Sequence, residues 1–316
     1  MKLTRENFAD FYNKELNNKL HILEEERVGL LQGYILVIII MAIAWWRLIY
    51  PIAVNANLLL HSLAGLAVIL FFVFKSTFKN YKKKYKEKIV PLIFDHIFDR
   101  YDYLPDSHLS EEDYRSTMLF QGDYNNFSGD DFLEGHFLGT PTKMSELIVK
   151  HVNSNGKNKN ERIVFKGLII ILNVHTSYHS ETILAPDIAE NLLGSFGKFF
   201  QNTDKSNHEV VRLESIEFEE NFVVKSNNQI DARKILTPHV QEQIMHTLKR
   251  SKLKFGISIT SSQFSIALPF STNQFEPHYF TSNKNSRTIR DILDIFLLVK
   301  DFHQDFKIEY NGSRQQ

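Results

Sequence analysis

Residues 28–74 constrain this chain more than any other stretch. From Val28 to Tyr50 the one charged residue is Arg47. A helix of that length reaches about 34 Å at roughly 1.5 Å per residue, enough to cross a hydrocarbon core of about 30 Å. From Leu58 to Phe74 there is no Asp, Glu, Lys or Arg, and Leu, Ala, Val, Ile and Phe dominate. This second run sits at the short end of the spanning range and is expected to lie nearly upright. Between the runs, Tyr50-Pro51-Ile52-Ala53-Val54-Asn55-Ala56-Asn57 carries a proline, two asparagines and no charge, which suits a tight turn at the far membrane face. Two spans joined this closely predict a transmembrane helical hairpin. A removed signal peptide fits poorly, because the first run follows 27 mostly polar residues, exceeds the length of a signal h-region and is followed at once by a second run.

The flanking charges set the expected orientation. After Phe74 come Lys75, Lys79, Lys82, Lys83, Lys84, Lys86 and Lys88, opposed only by Glu87, and residues 1–27 carry five Lys or Arg. Basic residues are retained in the cytoplasm, so both termini are expected there, with Arg47 near the outer turn. The cluster also suits attraction to anionic membrane lipids, at up to about 1 kcal/mol per basic residue near the surface. Phe74, Phe78, Tyr81, Tyr85 and Ile89 recur at helical spacing through it, predicting that the second span continues as a helix until Pro91 bends or ends it. Leu16, Leu20 and Leu23 predict a helix ahead of the first span as well.

The remainder is long enough to bury a core of its own. With 37 basic and 37 acidic residues the net charge is zero, so no global field favours nucleic acid. There is no cysteine, which excludes disulfides, thiolate nucleophiles and cysteine metal sites. Twenty-six Phe and 12 Tyr against 8 Pro and 13 Gly describe a chain that folds.

Past an acidic, polar stretch at Asp106–Asp113, runs at Phe132–Leu138, Leu147–Val152 and Ile163–Val174, broken by Gly139-Thr140-Pro141 and by Asn153–Asn160, predict an antiparallel meander. Leu168–Leu172 is apolar on both faces, the mark of a strand covered on both sides. Pro186 is expected to open a helix bearing Ile188, Leu192, Phe196 and Phe199. Strands are expected again at Val210–Leu213 and Phe222–Val224. Thr237-Pro238 pairs a capping hydroxyl with proline at the first helical position, predicting a helix to about Arg250 with Val240, Ile244 and Leu248 inward. Phe255, Ile257 and Ile259, then Phe264, Ile266 and Leu268, predict a hairpin. Ser286 is expected to open a final helix packing through Ile289, Ile292, Phe296, Val299 and Phe302.

No group of residues makes a catalytic argument. His175 and His179, with Glu181 behind them, have a spacing that binds zinc on a helix, but they fall at a strand end, where the rings need not converge. Gly194-Ser195-Phe196-Gly197-Lys198 lacks the four residues between glycines that a phosphate loop needs, and Phe199 stands where its hydroxyl should be. Glu217, Glu219 and Glu220 read as solvated carboxylates on a strand edge, and Glu24, Glu25 and Glu26 as a solvated helix face. Asp231 and Arg233 are expected to form an internal ion pair fixing the turn before the Thr237 helix. No catalytic, cofactor-binding or metal residue is assigned, and no cofactor is expected.

Several stretches together resemble a bacterial family known as Domain of Unknown Function 3137, sometimes labelled galanin-like: the two spans, Gly135–Leu147, Phe165-Lys166-Gly167-Leu168, Ala185-Pro186-Asp187 and, most specifically, Leu213–Pro238 with Asp231-Ala232-Arg233 and Leu236-Thr237-Pro238. The resemblance implies a membrane-anchored cytoplasmic domain and no reaction. It also implies a LemA-type membrane protein as a partner, since the two often lie in neighbouring genes.

The expected organisation is an N-terminal cytoplasmic helix (1–27), a two-span hairpin (28–74), a basic juxtamembrane helix (75–105) and a soluble α+β domain with a mainly antiparallel sheet (106–316). The expected role is that of a bacterial inner-membrane protein presenting this domain to another membrane or cytoplasmic protein. The alternative is an enzyme or small-ligand binder acting on lipid headgroups or nucleotides at the membrane surface.

Overall fold

The computed structural model describes residues 4–52, 56–120, 122–155, 158–174, 176, 178–186, 207–284 and 287–305. Its contacts divide the chain into a helical unit, residues 2–96 with 275–289, and a sheet unit, residues 97–274 with 290–316.

The helical unit begins with α1 (Arg5–Phe11), capped by Thr4 Oγ1, which accepts from the Asn7 N–H at 3.1 Å. A π-helical turn at Tyr12–Leu16 leads into α2 (Asn17–Leu48). Leu16, Leu20 and Leu23 are all buried, as their spacing requires. The second long helix, α3 (Ala56–Lys88), runs through the lysines as expected, with Phe78, Tyr81 and Tyr85 buried; Lys86 is buried with them, while the other lysines of the cluster are exposed or half-exposed. It breaks at Ile89, and α4 (Val90–Ile97) takes Pro91 in its first turn, where a missing N–H costs nothing.

Burial changes sharply along the two long helices. Below Val28 on α2, Leu20 and Leu23 pack inward and Ile22 is exposed; beyond Phe74 on α3, Phe78, Tyr81 and Tyr85 pack inward. Between those points apolar side chains face outward all round: Ile35, Ile39, Ile43 and Trp46 on α2, and Leu60, Leu63, Phe71 and Phe72 on α3. Both helices are long and apolar enough to cross a membrane. The hairpin is tied across by Trp45 Nε1–H to Ser62 Oγ and Tyr34 O–H to the Leu70 carbonyl, each at 3.1 Å.

Among the described residues of the other unit, nine strands form one sheet, paired antiparallel throughout: β1 (Arg100–Leu104), β2 (Asn126–Phe137), β3 (Thr140–Asn155), β4 (Asn158–Asn173), β5 (Thr182–Pro186), β6 (Glu209–Val210), β7 (Phe222–Ser226), β8 (Gly256–Ile259) and β9 (Gln263–Pro269), in the order β1-β2-β3-β4-β9-β8-β5-β7-β6. The predicted meander is β2-β3-β4, with longer strands than expected. Leu138 and Gly139 join β2 to β3 in a two-residue turn with both φ values positive (51° and 78°), the hairpin geometry whose twist matches the flanking strands.

Helices α5 (Glu111–Ser116), α6 (Ile216–Asn221), α7 (Gln229–Ile235), α8 (Pro238–Ser251) and α9 (Arg287–Asp305) complete the unit. Period-two alternation explains why β4 is apolar on both faces. Phe165, Ile169 and Ile171 join Leu109, Tyr114 and Phe120 from the α5 segment, the Phe120 and Phe165 rings lying 4.6 Å apart. Leu168, Ile170 and Leu172 pair with Leu268, Ile266 and Phe264 of β9 on the opposite face, where the Phe264 ring meets Phe302 of α9. Ile289, Ile292, Phe296, Val299 and Phe302 are all buried, the packing face predicted for that helix, each worth roughly 1.5–3 kcal/mol.

Three expectations need correction. Pro186 ends β5, paired with Phe222; the helix expected to follow it, with Ile188, Leu192, Phe196 and Phe199, lies outside the described residues. Glu217 and Glu219 sit on α6 and not on a strand edge, because Ser215 Oγ accepts from the Phe218 N–H at 3.3 Å and starts a helix there. The strand expected at Val210–Leu213 shrinks to β6. Strand β1 lies before Pro105, inside the stretch read as juxtamembrane helix, and pairs with β2 along its whole length.

Candidate functional site

The most closely built polar cluster lies in the helical unit, beside the end of the hairpin marked by Val28 and Phe74. Glu24 and Arg27 share the inward face of α2 with Leu20 and Leu23, and both are buried. Arg27 grips the Glu24 carboxylate with two parallel bonds, Nε–H to Oε2 at 3.0 Å and Nη2–H to Oε1 at 2.7 Å, the fork geometry that suits a carboxylate. Its Nη1–H donates to the Tyr279 carbonyl at 2.8 Å. Glu24 Oε2 also accepts from the Asn283 N–H at 3.2 Å, and Asn283 Nδ2–H donates to Tyr81 Oη at 3.1 Å. Hydrogen bonding from Arg27 holds the Glu24 carboxyl below its ordinary range against the opposing effect of burial, and the Glu24 bond raises Arg27 in turn. Burial, followed by the Glu24 charge, pushes the Tyr81 hydroxyl up to about 12. This is a clamp with its donors and acceptors matched, fixing residues 279–283 to α2 and α3.

The expectation of a solvated Glu24-Glu25-Glu26 face therefore holds only for Glu25, which is exposed beside His21. Glu24 is interior, since a helix turns it onto the Leu20–Leu23 side, and Glu26 pairs with Lys84 of α3 at 2.6 Å.

A second cluster, in the sheet unit, brings Asp130, Asp131 and Glu146 together, with carboxylate oxygens within 4.8 Å of one another. A bulge between Asp130 and Leu133 creates it, and Asp131 takes φ +58° there. The Tyr103 hydroxyl donates to Asp131, and the Gln274 N–H to Glu146. Burial and the Asp131 charge raise Tyr103 far above its ordinary range. Three carboxylate oxygens are the donor set of a hard cation. Here two of the carboxylates accept protein hydrogen bonds, and the adjoining cavity of about 10 Å³ is of single-water size. No signal beyond the Asp130-Asp131 pair in a strand pointed to this cluster.

An open groove of about 430 Å³ lies over β1–β3, lined among others by Arg100, Asp102, Glu134, His136 and Lys143. Arg100 Nε–H reaches His136 Nδ1 at 3.1 Å, and Lys143 meets Asp113 at 3.2 Å. Charges of both signs line it, with no nucleophile–base pair among them.

The residues weighed in the sequence are dispersed. His179 is exposed, and His175 and Gly194–Lys198 lie outside the described residues. Glu181 lies against a different histidine, its carboxylate 3.1 Å from His208 Nε2, and its N–H donates to Asn227 Oδ1 at 2.9 Å. Glu217 pairs with Lys249, and Glu219 accepts from the Leu213 N–H at 2.8 Å. Asp231 and Arg233 do not form the expected pair: on α7 Asp231 faces Lys234 at 3.7 Å, while Arg233 donates to the Gln229 side chain at 3.2 Å. Two residues apart on a helix they point in different directions. Thr237 does cap α8, accepting from the Val240 N–H at 3.4 Å.

Two long apolar helices followed by a domain with an antiparallel sheet define the class of this chain. Residues 163–308 match the model of the family described as Protein of unknown function (DUF3137), which supports the resemblance. No curated protein matches the chain. Among solved structures, the crystal structure of the mycobacterial trehalose monomycolate transport factor A, TtfA, is similar at 12% identity and a TM-score of 0.38, covering 68% of this chain and 96% of that one.

Proposed function

We propose that this chain is a bacterial inner-membrane protein with both termini in the cytoplasm, whose α+β domain docks another protein at the membrane surface. The observation that carries the membrane reading is the outward-facing apolar surface of α2 and α3, which water would penalise on every side of both helices. The lysines of α3 support the orientation. The docking role is supported by apolar side chains left exposed toward the β7–β6 end of the sheet, Val210 on β6, Ile216 on α6 and Ile230 on α7, the last two 77% and 67% exposed. A LemA-type protein, which the family resemblance implies, is the partner to test first.

A reporter active only in the cytoplasm should work when fused before Met1 or after Gln316 and fail when inserted at Asn55. A periplasmic reporter active at the C-terminus would overturn the orientation. For docking, Ile216→Asp with Ile230→Asp should abolish co-purification with the partner while leaving the thermal transition in place; unchanged co-purification would count against this surface.

A further inference from the structure

Phe280 is the one large aromatic in the segment 275–284 that remains mostly exposed, at 66%. Its ring stacks on Phe74, centroids 5.5 Å apart and planes within 8°. Neighbouring Tyr279 packs edge-on to Phe74 at 5.7 Å and lies 5.1 Å from Phe78. Phe74 is the last residue of the uncharged run that begins at Leu58, and Lys75 and Lys79 are exposed directly after it. Phe280 therefore stands level with the end of the apolar surface of α3 and extends that surface sideways.

The segment is held at that level. Arg27 bonds the Tyr279 carbonyl, Glu24 and Tyr81 bond Asn283, Asn283 Oδ1 accepts from the His278 N–H at 2.8 Å, and Lys82 pairs with Glu276. From His278 to Lys284 there is no acidic residue, so nothing in the tip repels anionic headgroups. Water is a poor environment for a stacked phenyl ring, whereas the boundary between acyl chains and headgroups suits aromatic rings beside lysines.

We propose that the tip at 278–282 is buried in the headgroup–acyl boundary of the membrane that α2 and α3 cross, with Phe280 as the inserting side chain. The proposal rests on the membrane reading above. It gives the C-terminal part of the chain a membrane contact of its own.

The test uses the full chain reconstituted into vesicles of phosphatidylcholine and phosphatidylglycerol, with and without brominated acyl chains. Native tryptophans occur only at Trp45 and Trp46, so Phe280→Trp is introduced into a chain with both replaced by Phe. The expected result is blue-shifted emission, quenched more strongly by bromines near the headgroup than by bromines deep in the chain, with little quenching by aqueous iodide. Water-like emission quenched by iodide and not by brominated lipid would overturn the proposal. The wild-type chain, measured in parallel, keeps the two failures apart: if Trp45 and Trp46 are quenched by lipid bromines and the Phe280→Trp variant is not, only this inference falls; if neither is, the membrane reading falls with it. Because the chain lacks cysteine, Phe280→Cys carrying a nitroxide gives a second reading. Faster collision with oxygen than with a water-soluble nickel complex is expected, and the reverse, including the case of a protein covering Phe280, overturns it.

Discussion

Replacing Arg27 by Met tests whether the buried clamp holds the 275–284 segment to the hairpin. Methionine keeps the aliphatic stem and removes the guanidinium, losing two bonds to Glu24 and one to the Tyr279 carbonyl. Hydrogen bonds to charged groups contribute about 1.5–3 kcal/mol each, but they do not add, because the abandoned carboxylate can take up a proton. Breaking a buried pair by removing one partner costs about 3–5 kcal/mol. Taking about 3 kcal/mol as acting on the segment alone gives an opening constant raised on the order of 100-fold. Amide hydrogen exchange on the full chain in detergent reads this directly, with peptides covering 275–284 exchanging faster and the Asn283 amide, whose acceptor is Glu24, most affected. Adding Glu24→Gln to Arg27→Met should restore part of the protection, since most of the penalty is the unpaired charge. In wild type, the folded Glu24 carboxyl lies below its ordinary value of 4.5. Its contribution is therefore complete above that pH and is lost as pH falls through the lowered value. Exchange within about threefold of wild type in Arg27→Met would refute the clamp.

Three further outcomes concern the sheet unit, each read from unfolding of the full chain in detergent. Thr237→Ala should cost about 0.5–2 kcal/mol and Thr237→Ser much less, because the lost group is one cap of α8; equal stability would remove the capping argument. Gly167 has φ +154°, and a Cβ there would lie 2.1 Å from the Leu268 carbonyl oxygen, so Gly167→Ala should destabilise by at least about 1–3 kcal/mol by forcing β4 from β9. His303 is held below its ordinary value of 6.5 by burial. It stays neutral in the folded chain, so stability should fall as pH drops below about 6.5, and His303→Gln should flatten that slope.

What the sequence displays well is whatever a single element decides for itself. The α9 face, the Thr237-Pro238 start and the β8–β9 hairpin each follow from side chains a few residues apart, and the burial of Ile292, Phe296 and Phe302 or the cap on Val240 repeats that local pattern. Short elements escape because their signal is too brief to show a period. Helix α6 rests on one serine cap ahead of six residues, and its Glu217-Phe218-Glu219 alternation imitates a strand. Strand β1 has only five residues, with Arg100 and Asp102 among them, and exists because β2 pairs with it over that length. Pro186 closes β5 because Phe222 of β7 pairs with it, a partner that no local pattern announces.

The candidate site was hidden for a different reason. A carboxylate in a run of three glutamates is ordinarily solvated. The burial of Glu24 depends on Asn283, 259 positions away, and the partner of Arg27 at Tyr279 is 252 positions away. The arithmetic of the helix does put Glu24 four residues after Leu20 and Arg27 four after Leu23, on the same face, so two charges inside an apolar stripe were visible. What was not visible was the acceptor and donor that make their burial affordable. A stripe interrupted by an acid and a base at helical spacing, beside a long apolar run, is thus the local trace of a distant segment folding back onto it. In this chain that segment also carries Phe280 to the edge of the apolar run.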